Sequence, residues 1–467
     1  MQIILRNKTV QALSSSVVFL ELTEKKEVEV VKEHGRRTVY FGVGPKKDIT
    51  RRKLITLVRR VIYTAKQHKI KRIALRFSDF LFPQIKDIPH EEIAALLAQN
   101  FEMANFEFVH FKTRPKEGWN MVEGVIVFHD SKNKSIARGL KKGKIIGEEI
   151  NKCRVLANTP GGDMTPRVLA DEAKKASKGT KVTVKVLGRK EMRRLKMGAV
   201  LGVAQGSNEE PKFIILEYFG GSKKEKPIVF VGKGVTFDTG GLNLKPTSSI
   251  SDMHLDMSGG AAVIYTLVIA AKLGIKKNIV GLVPAVENMP SGSSYRPGDI
   301  LRGMSGKTIE VLNTDAEGRV ILSDGLTYAK KYNPRLVVDV ATLTGAALVA
   351  VGQKASVIMT KDEEIERLSM KLAEESGEYL WPLPLWDEYE DDVRGNFADV
   401  ANDFPTRGSY GGAINGGMFL YQFAKEIKAP WLHIDMAPRM TSTNGDYLAK
   451  GAAGAPIRFL IKLIEAY

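Results

Sequence analysis

Residues 227–246 read PIVFVGKGVTFDTGGLNLKP: an apolar run that passes abruptly into glycine, lysine and aspartate. The apolar half has the character of a strand buried on both faces, and the polar half that of a loop at a strand's carboxyl end. Working outward, strand-like and helix-like stretches alternate. KFIILEYF (212–219) precedes it, and AAVIYTLVIAAKLG (261–274), NIVGLVPAVEN (278–288), TIEVLN (308–313), GRVILSDGLTYAKKY (318–332) and RLVVDVATLTG (335–345) follow. Near-continuous apolar strands separated by helices imply a sheet covered on both faces, an α/β/α sandwich.

The first 130 residues repeat the α/β character on a smaller scale, with VVFLEL (17–22), KRIALRF (71–77) and MVEGVIVF (121–128) as strands and LITLVRRVIYTAKQ (54–67) as a helix. The expected division is a small N-terminal α/β domain over 1–133, a linking helix over 134–158, and a larger C-terminal domain over 159–467. The linking helix should stop before Pro160, because proline disfavours helical backbone in the residue ahead of it. Thr165-Pro166 reads as a capped helix start.

Composition narrows the classes. A chain of 467 residues with 43% hydrophobic and 26% charged residues is neither disordered nor fibrous. The net charge of +17 is uneven: residues 1–150 hold 29 basic and 17 acidic side chains, whereas the remainder is nearly balanced. Cys153 is the one cysteine, which excludes a disulfide framework and a cysteine-rich zinc module. Of seven histidines only His254 and His433 lie beyond residue 130, and no HExxH occurs, so a histidine-built metal site is not expected. The start lacks a leader's apolar core. The longest low-polarity stretch, 259–271, falls short of the roughly 20 residues that cross a bilayer. The expectation is a soluble, cytoplasmic protein with no membrane partner.

In open α/β sheets ligands bind beyond the carboxyl ends of strands. Those positions carry Lys233, Asp238 and Lys245, then Asp256 in SDMHLDMSGG (251–260), then Asp315, Glu317 and Arg319 in NTDAEGR (313–319). Four converging carboxylates repel one another unless cations neutralise them. Oxygen donors suit divalent ions, and a pair held about 3.5–4 Å apart activates water and polarises a carbonyl or phosphoryl oxygen. Taken singly, each residue has a plainer reading. Asp238 can organise a turn, Asp256 can cap the next helix, and Asp315 with Glu317 suits a helix dipole. It is their joint placement among glycines that points to metals. GMSGK (303–307) misses the nucleophile-elbow pattern, no phosphate loop surrounds Lys233, and Cys153 reads as core.

NTDAEGR, with VGKGVTFDTGGLNLKP (231–246), MHLDMSGGAA (253–262), ENMPSGSSYRPGDIL (287–301), DVATLTGA (339–346) and WLHID (431–435), resembles the leucyl aminopeptidase (cytosol aminopeptidase) family of dinuclear zinc peptidases. The resemblance covers roughly residues 145–467 and implies a mixed central sheet of the zinc-peptidase kind. It also implies a metal-dependent aminopeptidase that releases N-terminal residues, Leu and Met preferred, from peptides with a free N-terminus. A tight ion would be bound by Lys233, Asp238, Asp256 and Glu317, and an exchangeable one, zinc or manganese, by Asp238, Asp315 and Glu317. Lys245 would polarise the scissile carbonyl, and Arg319 would hold a bicarbonate acting as general base. Met253, Asp256, Asn313, Thr342, Leu343 and Gly345 would contact substrate. The resemblance further implies a homohexamer, a dimer of trimers. His254 stands where the family commonly carries Lys or Arg.

Two other readings compete. A two-metal phosphoesterase would cleave phosphate esters and ignore a free amine; a lysine ligand and the absence of histidine ligands argue against it. Nucleic-acid binding through the basic first 150 residues, densest at RRKLITLVRR (51–60) and KNKSIARGLKKGK (132–144), is the weaker reading, since no recognition motif accompanies the charge.

Overall fold

The computed structural model describes residues 1–7, 14, 16–25, 27–33, 36–129, 133–404 and 410–467. They form two compact units, Met1–Asn151 with Ser442–Lys450, and Lys152–Thr441 with Gly451–Tyr467.

In the first unit the strands are β1 (Gln2–Arg6), β2 (Val18–Thr23), β3 (Val28–Glu33), β4 (Arg36–Gly42), β5 (Arg72–Arg76) and β6 (Gly124–Phe128). They build one sheet in the order β1-β6-β5-β2-β4-β3, parallel except for β3 against β4. Helix Arg51–Gln67 starts at Thr50, whose side chain accepts from the Lys53 N–H, and buries Leu54, Val58, Val61, Ile62 and Ala65 at helical spacing. Helix Lys134–Asn158 carries glycine every fourth residue. A Cβ on Gly139 or Gly143 would meet the carbonyl oxygens of Glu91 and Ala95 at 2.1 and 2.0 Å, so bare backbone lets it lie against helix His90–Asn105. Several of the basic side chains here have acidic partners: Arg51 pairs with Glu92, Lys66 with Glu107, Arg138 with Glu91 and Lys144 with Glu148. Lys132, in the basic run, lies outside the described residues.

The second unit holds β7 (Thr183–Leu187), β8 (Lys212–Phe219), β9 (Ile228–Gly232), β10 (Gly234–Asp238), β11 (Asn278–Asn288), β12 (Ile300–Arg302), β13 (Thr308–Glu310), β14 (Leu336–Ala341), β15 (Ser356–Met359), β16 (Leu380–Pro382), β17 (Val400–Ala401) and β18 (Trp431–Asp435). Its main sheet runs β16-β15-β18-β14-β9-β11-β8-β7, with β10 paired to β11 beside that path. The sheet is mixed: β7 against β8, β8 against β11 and β15 against β18 are antiparallel, and the central pairs are parallel. Both faces are covered. Val229 and Val231 join a core with Val320, Ile321 and Phe419 of two helices, whereas Gly281 faces Val263 and Leu267 of helix Ser258–Leu273. The helical stretch Met253–Leu273 is long and apolar enough to cross a membrane by length and composition, longer than the sequence suggested, and it is mostly buried inside this unit.

The fold class is the expected one: a small α/β unit and a larger α/β/α sandwich on a mixed sheet. One placement differs. TIEVLN was expected to supply a strand of the covered sheet, yet β13 pairs antiparallel with β12 and parallel with β17 in a separate three-stranded sheet. Its three paired residues take β12 and β17 as neighbours instead, and the loop carrying Asp315 therefore arrives from beside the main sheet.

Asp324 ties the helix that follows this loop to helix Gly198–Val203 and to the turn between β12 and β13. Fully buried on helix Glu317–Ala329, it accepts from the Val200 N–H at 3.0 Å, in the first turn of helix Gly198–Val203, and from the Met304 N–H at 2.7 Å. Asp324→Ala is expected to leave one buried and one part-buried donor unpaired and to cost about 3 kcal/mol. The check is a lowered melting temperature with an unchanged native circular dichroism spectrum.

Candidate functional site

The sequence run at 227–246 is broken at its centre. Lys233 falls between β9 and β10, where its N–H donates to the Val340 carbonyl at 3.0 Å and its carbonyl accepts from the Gly260 N–H at 2.7 Å. The break turns the side chain into the interior, where Nζ lies 2.7 Å from Asp256 Oδ2, 2.8 Å from Glu317 Oε1 and 3.0 Å from the Thr342 carbonyl. Gly318 makes room: a Cβ there would meet Lys233 Nζ at 2.6 Å.

Asp238 ends β10. Its Oδ1 accepts from the Gly240 N–H and from Asn288 Nδ2, both at 2.8 Å, so it does organise a turn, while Oδ2 faces Lys245 Nζ at 2.9 Å. Lys245 also reaches Asp315 Oδ1 at 2.5 Å. Asp256 does not cap the helix that follows it: its Oδ1 accepts from the Thr342 hydroxyl at 2.7 Å and its Oδ2 faces Lys233. Glu317 opens helix Glu317–Ala329, where the helix dipole favours a carboxylate.

Four carboxylates thus meet two ammoniums, leaving a formal excess of negative charge in a buried place. The electrostatics record the mismatch. Burial raises Asp315 to about 6, Glu317 and Asp238 add repulsion, and Lys245 opposes the rise. Burial raises Glu317 as well, with Asp238 adding to it against Lys233 and Lys245. Burial works against the ammonium of Lys233, but Asp256, Glu317 and Asp238 outweigh it and hold the group above its ordinary value.

Ligand atoms of Asp238, Asp315 and Glu317 all lie within 4.8 Å of one another. Glu317 Oε2 is buried without a hydrogen-bond partner. A clustered, under-neutralised oxygen set with an orphaned carboxylate oxygen fits divalent cations.

The site opens into a cavity of about 530 Å³. Of the residues expected from sequence, Lys233, Asp238, Lys245, Met253, Asp256, Asp315, Thr342, Leu343 and Gly345 line it. Glu317 is not among the lining residues and meets the site through Lys233. Arg319 is buried, with Nη1 donating to the Asn402 carbonyl at 2.9 Å and to Asn415 Oδ1 at 2.5 Å, and its Nε has no partner. Asn313 sits in the loop that carries Asp315: its Oδ1 accepts from the Asp315 N–H at 2.9 Å and its Nδ2 donates to Asp403 at 2.8 Å. Sequence reasoning missed, among other lining residues, Leu348, Gln353, Ala437 and Met440. The signal for the last two is their place just beyond WLHID, at the carboxyl end of a strand.

The family description "Cytosol aminopeptidase family, catalytic domain" matches residues 151–461. The chain belongs to the cytosol aminopeptidase family. It is similar to a probable cytosol aminopeptidase of Saccharophagus degradans, 38% identical over 98% of this chain and 90% of the relative. One from Geobacter sulfurreducens is also 38% identical, over 97% and 91%. Among solved structures, a mutant of tomato leucine aminopeptidase superposes with a TM-score of 0.88 at 28% identity, covering 100% of this chain and 97% of that one. The bottromycin maturation enzyme BotP in complex with Mn gives 0.86 at 27%, covering 97% and 99%. This cytosol aminopeptidase family member is a hydrolase that removes N-terminal residues with divalent metal ions.

Proposed function

We propose that the cavity binds the free N-terminus of a peptide and cleaves the first peptide bond, with a preference for Leu- and Met-like first residues. One divalent ion would be held by Lys233, Asp238, Asp256 and Glu317, and a second by Asp238, Asp315 and Glu317, either zinc or manganese; Arg319 would hold a bicarbonate ion. When bound, the ions supply a nucleophile at neutral pH and a Lewis acid, and the bicarbonate supplies a general base. The observation that carries this reading is the set of four carboxylates converging on two lysines with Glu317 Oε2 unpartnered.

The chain's own residues supply the rest. Lys233 would hold the ion as a neutral amine, its proton released to solvent as the dication displaces it. Lys245, half-buried at the cavity wall, donates to the scissile carbonyl and to the oxyanion that develops on it. Asp256 accepts from the substrate's α-amine, which an internal peptide bond lacks. Met253, Thr342, Gly345, Leu348, Ala437 and Met440 form a mostly apolar wall for the first side chain, and two methionines make that wall adaptable. Leu343, also in the cavity wall, would contact the substrate, and Asn313 would act from behind that wall by holding the Asp315 peptide N–H. We assign the protein to the cytoplasm and to a hexamer built as a dimer of trimers.

Leucyl-p-nitroanilide, its N-acetyl derivative and p-nitrophenyl phosphate in parallel assays test the reading. Hydrolysis of the first alone, lost on chelation and restored by Mn²⁺ or Zn²⁺, is expected. Equal cleavage of the blocked substrate, or cleavage of the phosphate ester alone, would refute it. Gel filtration with metal analysis of the same sample is expected to give six chains with two ions each.

A further inference from the structure

We infer that Asn288 is a positioning residue that sets the spacing and orientation of the two loops carrying Asp238 and Asp315. It is the last residue of β11, fully buried, and it touches both loops at once. Its Nδ2 donates to Asp238 Oδ1 at 2.8 Å and to the Thr314 carbonyl at 2.9 Å. Its own carbonyl accepts from the Thr239 N–H at 3.0 Å and the Thr239 hydroxyl at 2.7 Å.

A carboxylate oxygen and a peptide carbonyl only accept, so the amide can face them in one orientation, with both N–H bonds committed. Its Oδ1 is left buried with no partner. A core amide placed only for packing would not be expected to leave an acceptor unsatisfied; this one satisfies two acceptors on separate loops instead.

The consequences fall on the ligands. Asp238 Oδ1 is held from two sides, by Gly240 and Asn288, so the carboxylate cannot rotate and its Oδ2 stays directed at Lys245. The Thr314 carbonyl takes a second bond from the Tyr295 hydroxyl at 2.7 Å, which fixes the peptide unit leading into Asp315. The loops also clasp each other: the Thr314 N–H donates to Asn243 Oδ1 at 2.9 Å and the Asn243 N–H to the Thr314 hydroxyl at 2.8 Å. Carboxylates whose oxygens lie within 4.8 Å repel, and this lattice, centred on one amide, opposes their separation.

The inference rests on the ligand set proposed above, and its test separates the two. Mn²⁺ affinity is measured by competition with a graded chelator on the full chain, for the parent and for Asn288→Ser, Asn288→Asp, Tyr295→Phe and Glu317→Ala. Melting of each metal-free protein is recorded alongside. Asn288→Ser and Asn288→Asp are expected to bind Mn²⁺ about 10–100-fold more weakly, the range for groups that orient metal ligands. Tyr295→Phe, which removes one bond at Thr314 and none at Asp238, is expected to stay within about threefold of the parent. Parental affinity in both Asn288 variants, with Glu317→Ala impaired, would overturn this inference and leave the ligand set standing. Parental affinity in Glu317→Ala would overturn the ligand set itself. If neither Asn288 variant folds without metal, the residue supports the core rather than the ligands, and the inference also fails.

Discussion

Glu317→Ala is expected to lower kcat/KM for leucyl-p-nitroanilide by about 10⁴-fold, the scale at which a group acting as part of one catalytic unit is lost. The reason lies in how much converges on this carboxylate. It is 1% exposed, its Oε1 neutralises Lys233 and its Oε2 has no partner within the chain. In the proposed ligand set it is one of two residues shared by both ions, so its removal weakens both positions together. Metal analysis should show the variant depleted, and added Mn²⁺ should not restore it, whereas chelated parent should recover. Substantial activity in a metal-depleted variant would leave the two-ion scheme without support. Glu317→Gln, which keeps the shape and removes the charge, should fall almost as far.

The second large effect is expected at Lys245. Lys245→Ala should reduce kcat by about 10²–10³-fold and move KM by only a few-fold, because a group that meets developing negative charge acts in the transition state. Its ammonium is held in place by Asp238 and Asp315 at 2.9 and 2.5 Å, and its side chain is 13% exposed, so it is oriented before substrate arrives. Metal content should stay near the parental value, which separates this variant from Glu317→Ala. A rise in KM with kcat intact would instead make Lys245 an anchor for bound substrate.

Much of this was legible in the chain because the signals were local. The apolar runs at 212–219, 278–288 and 336–341 are strands, the helix over 134–158 stops ahead of Pro160, and Thr165 accepts from the Val168 N–H as a cap. Asp238, Asp256, Asp315 and Glu317 were visible as carboxylates among glycines. What stayed hidden depends on pairing over distance. PIVFV reads as a strand that gives way to a loop, yet Gly234–Asp238 within that loop is a second strand, β10, because it finds β11 as a partner. TIEVLN has the composition of a main-sheet strand, and only its pairing with β12 and β17 places it elsewhere. Strands β3 and β4 are short, charged runs that the apolar-run reading passes over until they meet as a pair. Asn288 was quoted inside a family stretch, but a buried amide announces nothing until its two acceptors come from other loops.

The membership of Ser442–Lys450 in the first unit bears on how this enzyme can be taken apart. A chain cut after Asn151 would lack those nine residues, including Tyr447, whose ring meets that of Tyr63 edge-on at 5.5 Å. The complementary fragment would carry them with nothing of their own unit to join. Neither half is a cassette that can be excised or grafted by a single cut, and truncations meant to isolate the catalytic unit should replace 442–450 with a short polar bridge.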